Sequence, residues 1–225
     1  MAALPQVKEV TYLSANYPFA NSTMANGITH KGKQFGNIND YRVQDNYAKL
    51  LKIPVTEGRW FNPSDASFKS RPVVISESLR KDLFGNGKAI GELIGDGKEE
   101  DRRKVIGVVA DAKLKGDYSD PGYAMFNRFD TGSYRWNENM LVKVSPGADA
   151  AFEAKLYKTL ANALKNANVE IGHLNNKRKE KNYFALVPMI VLSIICSFLI
   201  VNVALGLFGV LWYNINKRRG EIGLR

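Results

Sequence analysis

Two histidines, His30 and His173, are the residues best suited to acid–base work at neutral pH. They lie far apart in the chain, and neither histidine has an acidic motif beside it, so each reads as a surface or internally satisfied histidine. With so few Cys and His, a Cys/His zinc site cannot be assembled. Asp65, Asp111, Asp117 and Asp120 offer carboxylates, but their spacing matches no calcium loop and they read as solvated loop acids. Gly85-Asn-Gly87 starts like a dinucleotide fingerprint. Its third glycine, Gly91, comes one residue late, and the stretch follows a helical pattern where a strand is required. Gly97-Lys98 is followed by Glu99 and has Glu92 where a phosphate-binding loop needs its first glycine. These glycines therefore read as turns. Asn21-Ser22-Thr23 is a glycosylation sequon, relevant only in a eukaryotic secretory setting. No catalytic, cofactor-binding or metal-ligating residue is assigned, and the expectation is that the chain is not an enzyme.

The 225 residues carry 32 Lys+Arg against 22 Asp+Glu, a net charge of +10. Lys177, Arg178, Lys179 and Lys181 against Glu180 make a local +3, and Lys217, Arg218, Arg219 and Arg225 against Glu221 make another +3. Only +4 is spread over residues 1–176, whereas a nucleic-acid footprint is a dense basic face on the folded part. Nucleic acid is not an expected partner. Between the basic clusters, residues 182–216 hold no charge. A span needs about 20 mainly apolar residues, and a buried helix of such length keeps a polar stripe. Tyr183 and Phe184 at one end and Trp212 and Tyr213 at the other are interface aromatics roughly 42 Å apart on a helix. The segment reads as one transmembrane helix, with Lys217, Arg218 and Arg219 as further interface anchors beside lipid. Four basic residues flank each end, so the positive-inside rule gives no orientation. The first residues carry no signal-peptide pattern.

Ahead of the span the pattern is mixed. Residues 7–13 and 41–44 have strand character, and residues 45–52 place Tyr47, Leu50 and Leu51 on one helical face before Pro54. Residues 72–75 read as a buried strand; Ser76 then caps a helix with Leu79, Leu83 and Phe84 inward, ended by Gly85 at positive φ. Residues 104–110 and 140–144 read as strands. Residues 150–167 read as a helix with Phe152, Leu156, Leu160, Ala163 and Leu164 inward, and residues 169–171 as a short strand. Residues 20–39 and 111–139 read as irregular loops. The expectation is an α+β domain in one or two lobes, followed by one transmembrane α-helix. Tyr118, Tyr123, Phe126, Phe129, Tyr134 and Trp136 form either a contact surface or a satellite core.

On the span, Asn202, Gly206, Gly209 and Tyr213 fall at steps of four, three and four, so they line one face that admits close helix packing. Ser193 and Ser197 are a second pair of small residues.

Four segments in order carry a family resemblance. They are Asn46-Tyr-Ala-Lys-Leu-Leu-Lys-Ile-Pro-Val-Thr-Glu-Gly-Arg-Trp-Phe61, Val73-Val-Ile-Ser-Glu-Ser-Leu-Arg-Lys-Asp-Leu-Phe-Gly85, Ala89-Ile-Gly-Glu92 and Val105-Ile-Gly-Val-Val-Ala-Asp111. Together they look like the extracytoplasmic domain of MacB/FtsX-type ABC transporter permeases, and Lys217-Arg-Arg-Gly-Glu-Ile-Gly-Leu-Arg225 resembles the cytoplasmic segment after that family's second membrane helix. The resemblance implies an internal piece of a longer permease in the bacterial inner membrane, with residues 1–174 periplasmic, 175–182 a basic stalk, 183–213 the transmembrane helix and 214–225 cytoplasmic. It also implies that ATP and Mg are bound by a partner ABC ATPase, with no cofactor in this chain. Glu221, Ile222, Gly223, Leu224 and Arg225 are then the residues expected to contact that ATPase. A second permease copy, membrane lipid, and an envelope protein or cargo at the outer domain are the other implied partners. The implied action is mechanical, transmitted by a stiff helix in which Pro188 is the expected kink. A tail-anchored recruiter and a single-pass sensor are the alternatives from other classes.

Overall fold

A computed structural model describes residues 4–67, 70–98, 101–129, 139–164 and 168–222. In chain order the elements are β1 (Val7–Ala15), β2 (Ala25–His30), β3 (Lys33–Val43), α1 (Tyr47–Leu51), β4 (Val55–Gly58), a 3₁₀ turn (Pro63–Ser67) and β5 (Arg71–Ser76). After these come α2 (Glu77–Phe84), β6 (Leu93–Ile94), β7 (Arg103–Val109), β8 (Ala124–Arg128), β9 (Asn139–Val144), α3 (Ala150–Ala163) and α4 (Leu174–Ile222). The chain divides into two units, Met1–Arg178 and Lys179–Arg225.

In the first unit one mixed sheet runs β4-β7-β5-β8-β3-β1-β9, with β2 hydrogen-bonded to β3 and β6 to β7. The pairs β5·β7 and β3·β8 are parallel and the rest antiparallel. The run Val73-Val74-Ile75 is fully buried. Side chains alternate along a strand, so such a run requires cover on both faces of the sheet. Val74 joins Leu13, Tyr41, Tyr47, Phe61, Val109 and Phe126 on one face. Val73 and Ile75 join Ile38, Leu79, Ile94, Val105 and Met125 on the other, under α2. A smaller cluster of Leu4, Phe152 and Leu156 seats α3.

Close backbone packing explains two glycines. A Cβ on Gly107 would lie 2.1 Å from the carbonyl oxygen of Arg59, and Gly58 has φ +67° with the Ile106 carbonyl 2.3 Å from its would-be Cβ. The crossing is closed by Arg59 N–H donating to the Ile106 oxygen at 3.1 Å. Arg59 also grips buried Asp65, whose carboxylate is held below the ordinary range first by that guanidinium and then by the Asn62 N–H, against the opposing effect of burial.

Several sequence expectations are corrected. Residues 20–39 are no irregular loop: they hold β2 and most of β3, joined by a two-residue turn in which Lys31 and Gly32 both have positive φ. Residues 111–139 include β8, an interior strand, and Phe126 belongs to the core. Tyr118 is exposed, while Tyr134 and Trp136 lie outside the described residues. Residues 169–171 form no strand, and α3 stops at Ala163 with Ala163 and Leu164 exposed. Ser76 sits at the N-cap of α2, but its hydroxyl accepts from the Ala124 N–H at 3.0 Å, so it ties helix to sheet without capping. Gly85 ends that helix at φ +56°.

Candidate functional site

The feature that a function must explain is α4. Its 49 residues extend about 73 Å at 1.5 Å per residue, well beyond a bilayer's ~30 Å hydrocarbon core.

The root of this helix belongs to the first unit. His173, just ahead of it, places Nε2 2.5 Å from Glu153 Oε1 of α3. Lys177 Nζ stands 5.6 Å from the ring centroid of Tyr17, in the β1–β2 connection. Arg178 donates from Nε to both oxygens of Asp117 at 3.0 Å, with Nη2 2.9 Å from Oδ1. Cations at a helix N-terminus oppose the macrodipole, so Asp117 and Glu153 offset a charge arrangement that is locally unfavourable. In the sequence Asp117 is one of several loop acids and Arg178 one of a basic cluster. Nothing in their 61-residue separation signals that they meet.

In the second unit α4 is apolar enough and long enough to cross a membrane, and none of that stretch is buried within the chain. Its polar side chains turn back on their own helix: Ser193 Oγ donates to Met189 O, Ser197 Oγ to Ser193 O and Asn202 Nδ2 to Phe198 O, each at 2.8 Å. That internal satisfaction is what hydrocarbon demands. Pro188 lies inside the helix, where it removes one backbone donor. Asn202, Gly206, Gly209 and Tyr213 share one exposed side, and a Cβ on either glycine would meet nothing. Tyr183, Phe184, Trp212 and Tyr213 are exposed at the two ends of the apolar stretch, and Phe208 stacks on Trp212 with centroids 6.1 Å apart. Lys217, Arg218 and Arg219 follow on the same helix. Glu221 and Ile222 fall in its last turn; Gly223, Leu224 and Arg225 lie outside the described residues.

The acids singled out in the sequence are drawn into structural bonds. Asp65 pairs with Arg59, and Asp111 accepts from the Ser78 N–H at 3.1 Å and hydroxyl at 2.9 Å. Asp117 holds Arg178, and Asp120 accepts from the Gly122 N–H. Among the described residues no three His, Cys, Asp or Glu side chains come together as a metal site. His30 is buried against Phe84, and burial lowers its pKa.

Known proteins match much of this chain. The family described as MacB-like periplasmic core domain matches residues 1–158. The macrolide export ATP-binding/permease protein MacB 1/2 of Paracoccus denitrificans (strain Pd 1222) is 24% identical over 212 residues, covering 91% of this chain and 30% of that protein. The macrolide export ATP-binding/permease protein MacB of Aggregatibacter actinomycetemcomitans is 25% identical over 214 residues, covering 91% of this chain and 32% of its own length. The chain thus spans about a third of these relatives. Among solved structures, the periplasmic region of MacB from Actinobacillus actinomycetemcomitans superposes with a TM-score of 0.52 at 20% identity, covering 72% of this chain and 70% of that one. The extracellular domain of the noncanonic ABC-type transporter YknZ from Gram-positive bacteria gives 0.53 at 16% identity, covering 73% and 80%. At these identities the two structures speak for the fold alone.

Proposed function

The chain belongs to the family of MacB-like periplasmic core domains, and from that premise we propose that it couples a cytoplasmic ATPase to an extracytoplasmic domain as part of an ABC transporter permease. In this reading residues 1–174 are periplasmic, 175–182 form a basic stalk, 183–213 cross the inner membrane and 214–225 are cytoplasmic. ATP with Mg is hydrolysed by a partner ABC ATPase that Glu221, Ile222, Gly223, Leu224 and Arg225 contact. Asn202, Gly206, Gly209 and Tyr213 pack on another membrane helix, in a homodimer or heterodimer of permease copies. Tyr183, Phe184, Trp212 and Tyr213 settle at the headgroups, with Lys217, Arg218 and Arg219 beside anionic lipid. Cargo or an envelope partner engages the outer domain.

The observation that carries the reading is one uninterrupted helix whose first turns are bonded to domain loops through Lys177 and Arg178 and whose last turns are basic. Mechanical transmission requires a helix held by the domain at one end and, on this reading, by the ATPase at the other. The test is topology in the natural full-length protein. Phosphatase fused after position 98 is expected to be active and a fluorescent reporter at the same position dark, with the reverse after position 219. An active phosphatase only after position 219 places the domain inside and overturns the reading in favour of a tail anchor.

A further inference from the structure

Arginines are treated unequally in the first unit. Arg59, Arg80, Arg128 and Arg178 each pair with a carboxylate. Arg42, Arg71 and Arg103 form no ion pair among the described residues, and strand register gathers those three. Arg103 of β7 is the direct partner of Arg71 in β5. Asn127 of β8 lies opposite Val73 and beside Arg42 of β3. Arg71 shares a face with Val73, Arg103 with Val105 and Arg42 with Ile38, and all three apolar residues lie in the core cluster under α2. The arginines therefore stand on one face, at one end, of four neighbouring strands.

The local chemistry leaves this row short of negative charge. Asp40, the acid on the same face, is buried and already accepts from Asn26 Nδ2 at 2.9 Å and from Asn127 Nδ2. Arg103 Nη1 has a methionine sulfur, Met125 Sδ at 3.3 Å, for its neighbour. Burial lowers the pKa of Arg103; Asp40 works against that, and Arg71 and Arg42 add to it. Arg42 and Arg71 themselves are exposed. Three guanidinium groups against one carboxylate leave two positive charges, which matches the charge of about −1.5 to −2 on a phosphomonoester at neutral pH. Guanidinium forks also fit tetrahedral oxyanions with paired hydrogen bonds.

We propose that Arg42, Arg71 and Arg103, with Asn127 between them, form an oxyanion site on the outer domain that takes a phosphate group. Arg103 of β7 forms the partly buried back of the site, and exposed Arg71 of β5 and Arg42 of β3, on either side of β8, close on the anion. The phosphate comes either from a soluble molecule or from a lipid headgroup.

The test is calorimetric titration of the full chain, held in phosphatidylcholine nanodiscs, with inorganic phosphate at constant ionic strength and with acetate and chloride as controls. Saturable heat with phosphate, weakened about tenfold or more by Arg71→Gln and by Arg42→Gln, is the expected result. Both substitutions are at exposed positions. In addition, without added phosphate, Arg71→Gln raises the melting temperature, because it relieves like-charge repulsion. Replacing part of the lipid with phosphatidic acid, whose headgroup is a phosphomonoester, distinguishes the sources: competition with added phosphate assigns a headgroup, and unchanged binding assigns a soluble phosphate. Phosphate heat no greater than that of acetate, or equal affinity in the two Gln variants and the parent, overturns the proposal.

Discussion

Arg178 in the second turn of α4 holds both carboxylate oxygens of Asp117 with its Nε, and a second guanidinium nitrogen lies 2.9 Å from Oδ1. Both side chains are partly solvated, so the pair contributes about 0–1 kcal/mol to stability. Its value on the proposed reading is positional, since it ties the root of the helix to the 111–122 segment. Arg178→Ala and Asp117→Ala should each change the unfolding free energy by less than about 1 kcal/mol, an effect that shrinks in ~1 M salt. In the full transporter the same variants should reduce nucleotide-driven movement of the outer domain while ATP binding persists. A double-mutant cycle in urea melts and a distance measurement check the two halves of this statement.

The crossing of β4 and β7 gives a sharper stability prediction. Gly107→Ala drives a methyl against the Arg59 carbonyl, and Gly58→Ala adds a positive φ to a similar clash. Each should cost about 3 kcal/mol or more, because the obstructing atoms are backbone. Gly36→Ala, where a Cβ meets nothing and φ is ordinary, should stay within about 1 kcal/mol of the parent. Thermal melts of the three variants decide it, and equal melting temperatures would contradict the close approach.

Those glycines also mark the limit of what the sequence alone shows. The runs containing Val73–Ile75 and Val105–Val109 announced strands because burial on both faces demands continuous apolar residues. Gly58 and Gly107 stood out in the sequence only as parts of a recurring pattern; their reason is a contact between segments almost fifty residues apart. The β2–β3 hairpin was hidden because Gly27, Lys31, Gly32, Lys33 and Asn37 are poor strand formers, stabilised there by pairing and by the turn. The five residues of β8 carry Asn127 and Arg128, and no periodicity shows in so short a segment. The long apolar helix shows in the composition, but its root does not. Contacts of Tyr17, Asp117 and Glu153 with residues 173–178 are long-range and polar, and no local pattern encodes them.

Asp65 gives a pH signature. Its side chain is fully buried, and its folded-state pKa lies below the unfolded value chiefly because of the Arg59 hydrogen bonds. Ionisation therefore favours folding. The contribution is complete above the ordinary carboxylate range and is lost as pH falls through the depressed value. Asp65→Asn should cost about 2 kcal/mol at neutral pH, and its stability curve should converge with the parent's in acid. Denaturant melts from pH 7 down to pH 3 read this out; a constant difference across that range would contradict it.

In the membrane, bulk on the face of Asn202, Gly206, Gly209 and Tyr213 should weaken association. Gly206→Leu with Gly209→Leu is expected to reduce co-purification of permease copies from detergent, while Leu207→Ile and Leu211→Ile, on the opposite side of the helix, leave it unchanged. Equal yields in the two sets would contradict packing of the copies through this face.

The coupling claim is tested most directly by the distance between outer domains in the full transporter. A spin label at exposed Tyr157 of α3, in each permease copy, reports that distance by pulsed resonance in nanodiscs. Trapping the ATPase with ATP and vanadate should shift the distance distribution relative to the nucleotide-free state, and replacing residues 179–181 with Gly-Pro-Gly should abolish the shift while nucleotide still binds. Superimposable distributions with and without trapped nucleotide in the parent would contradict transmission to the outer domain.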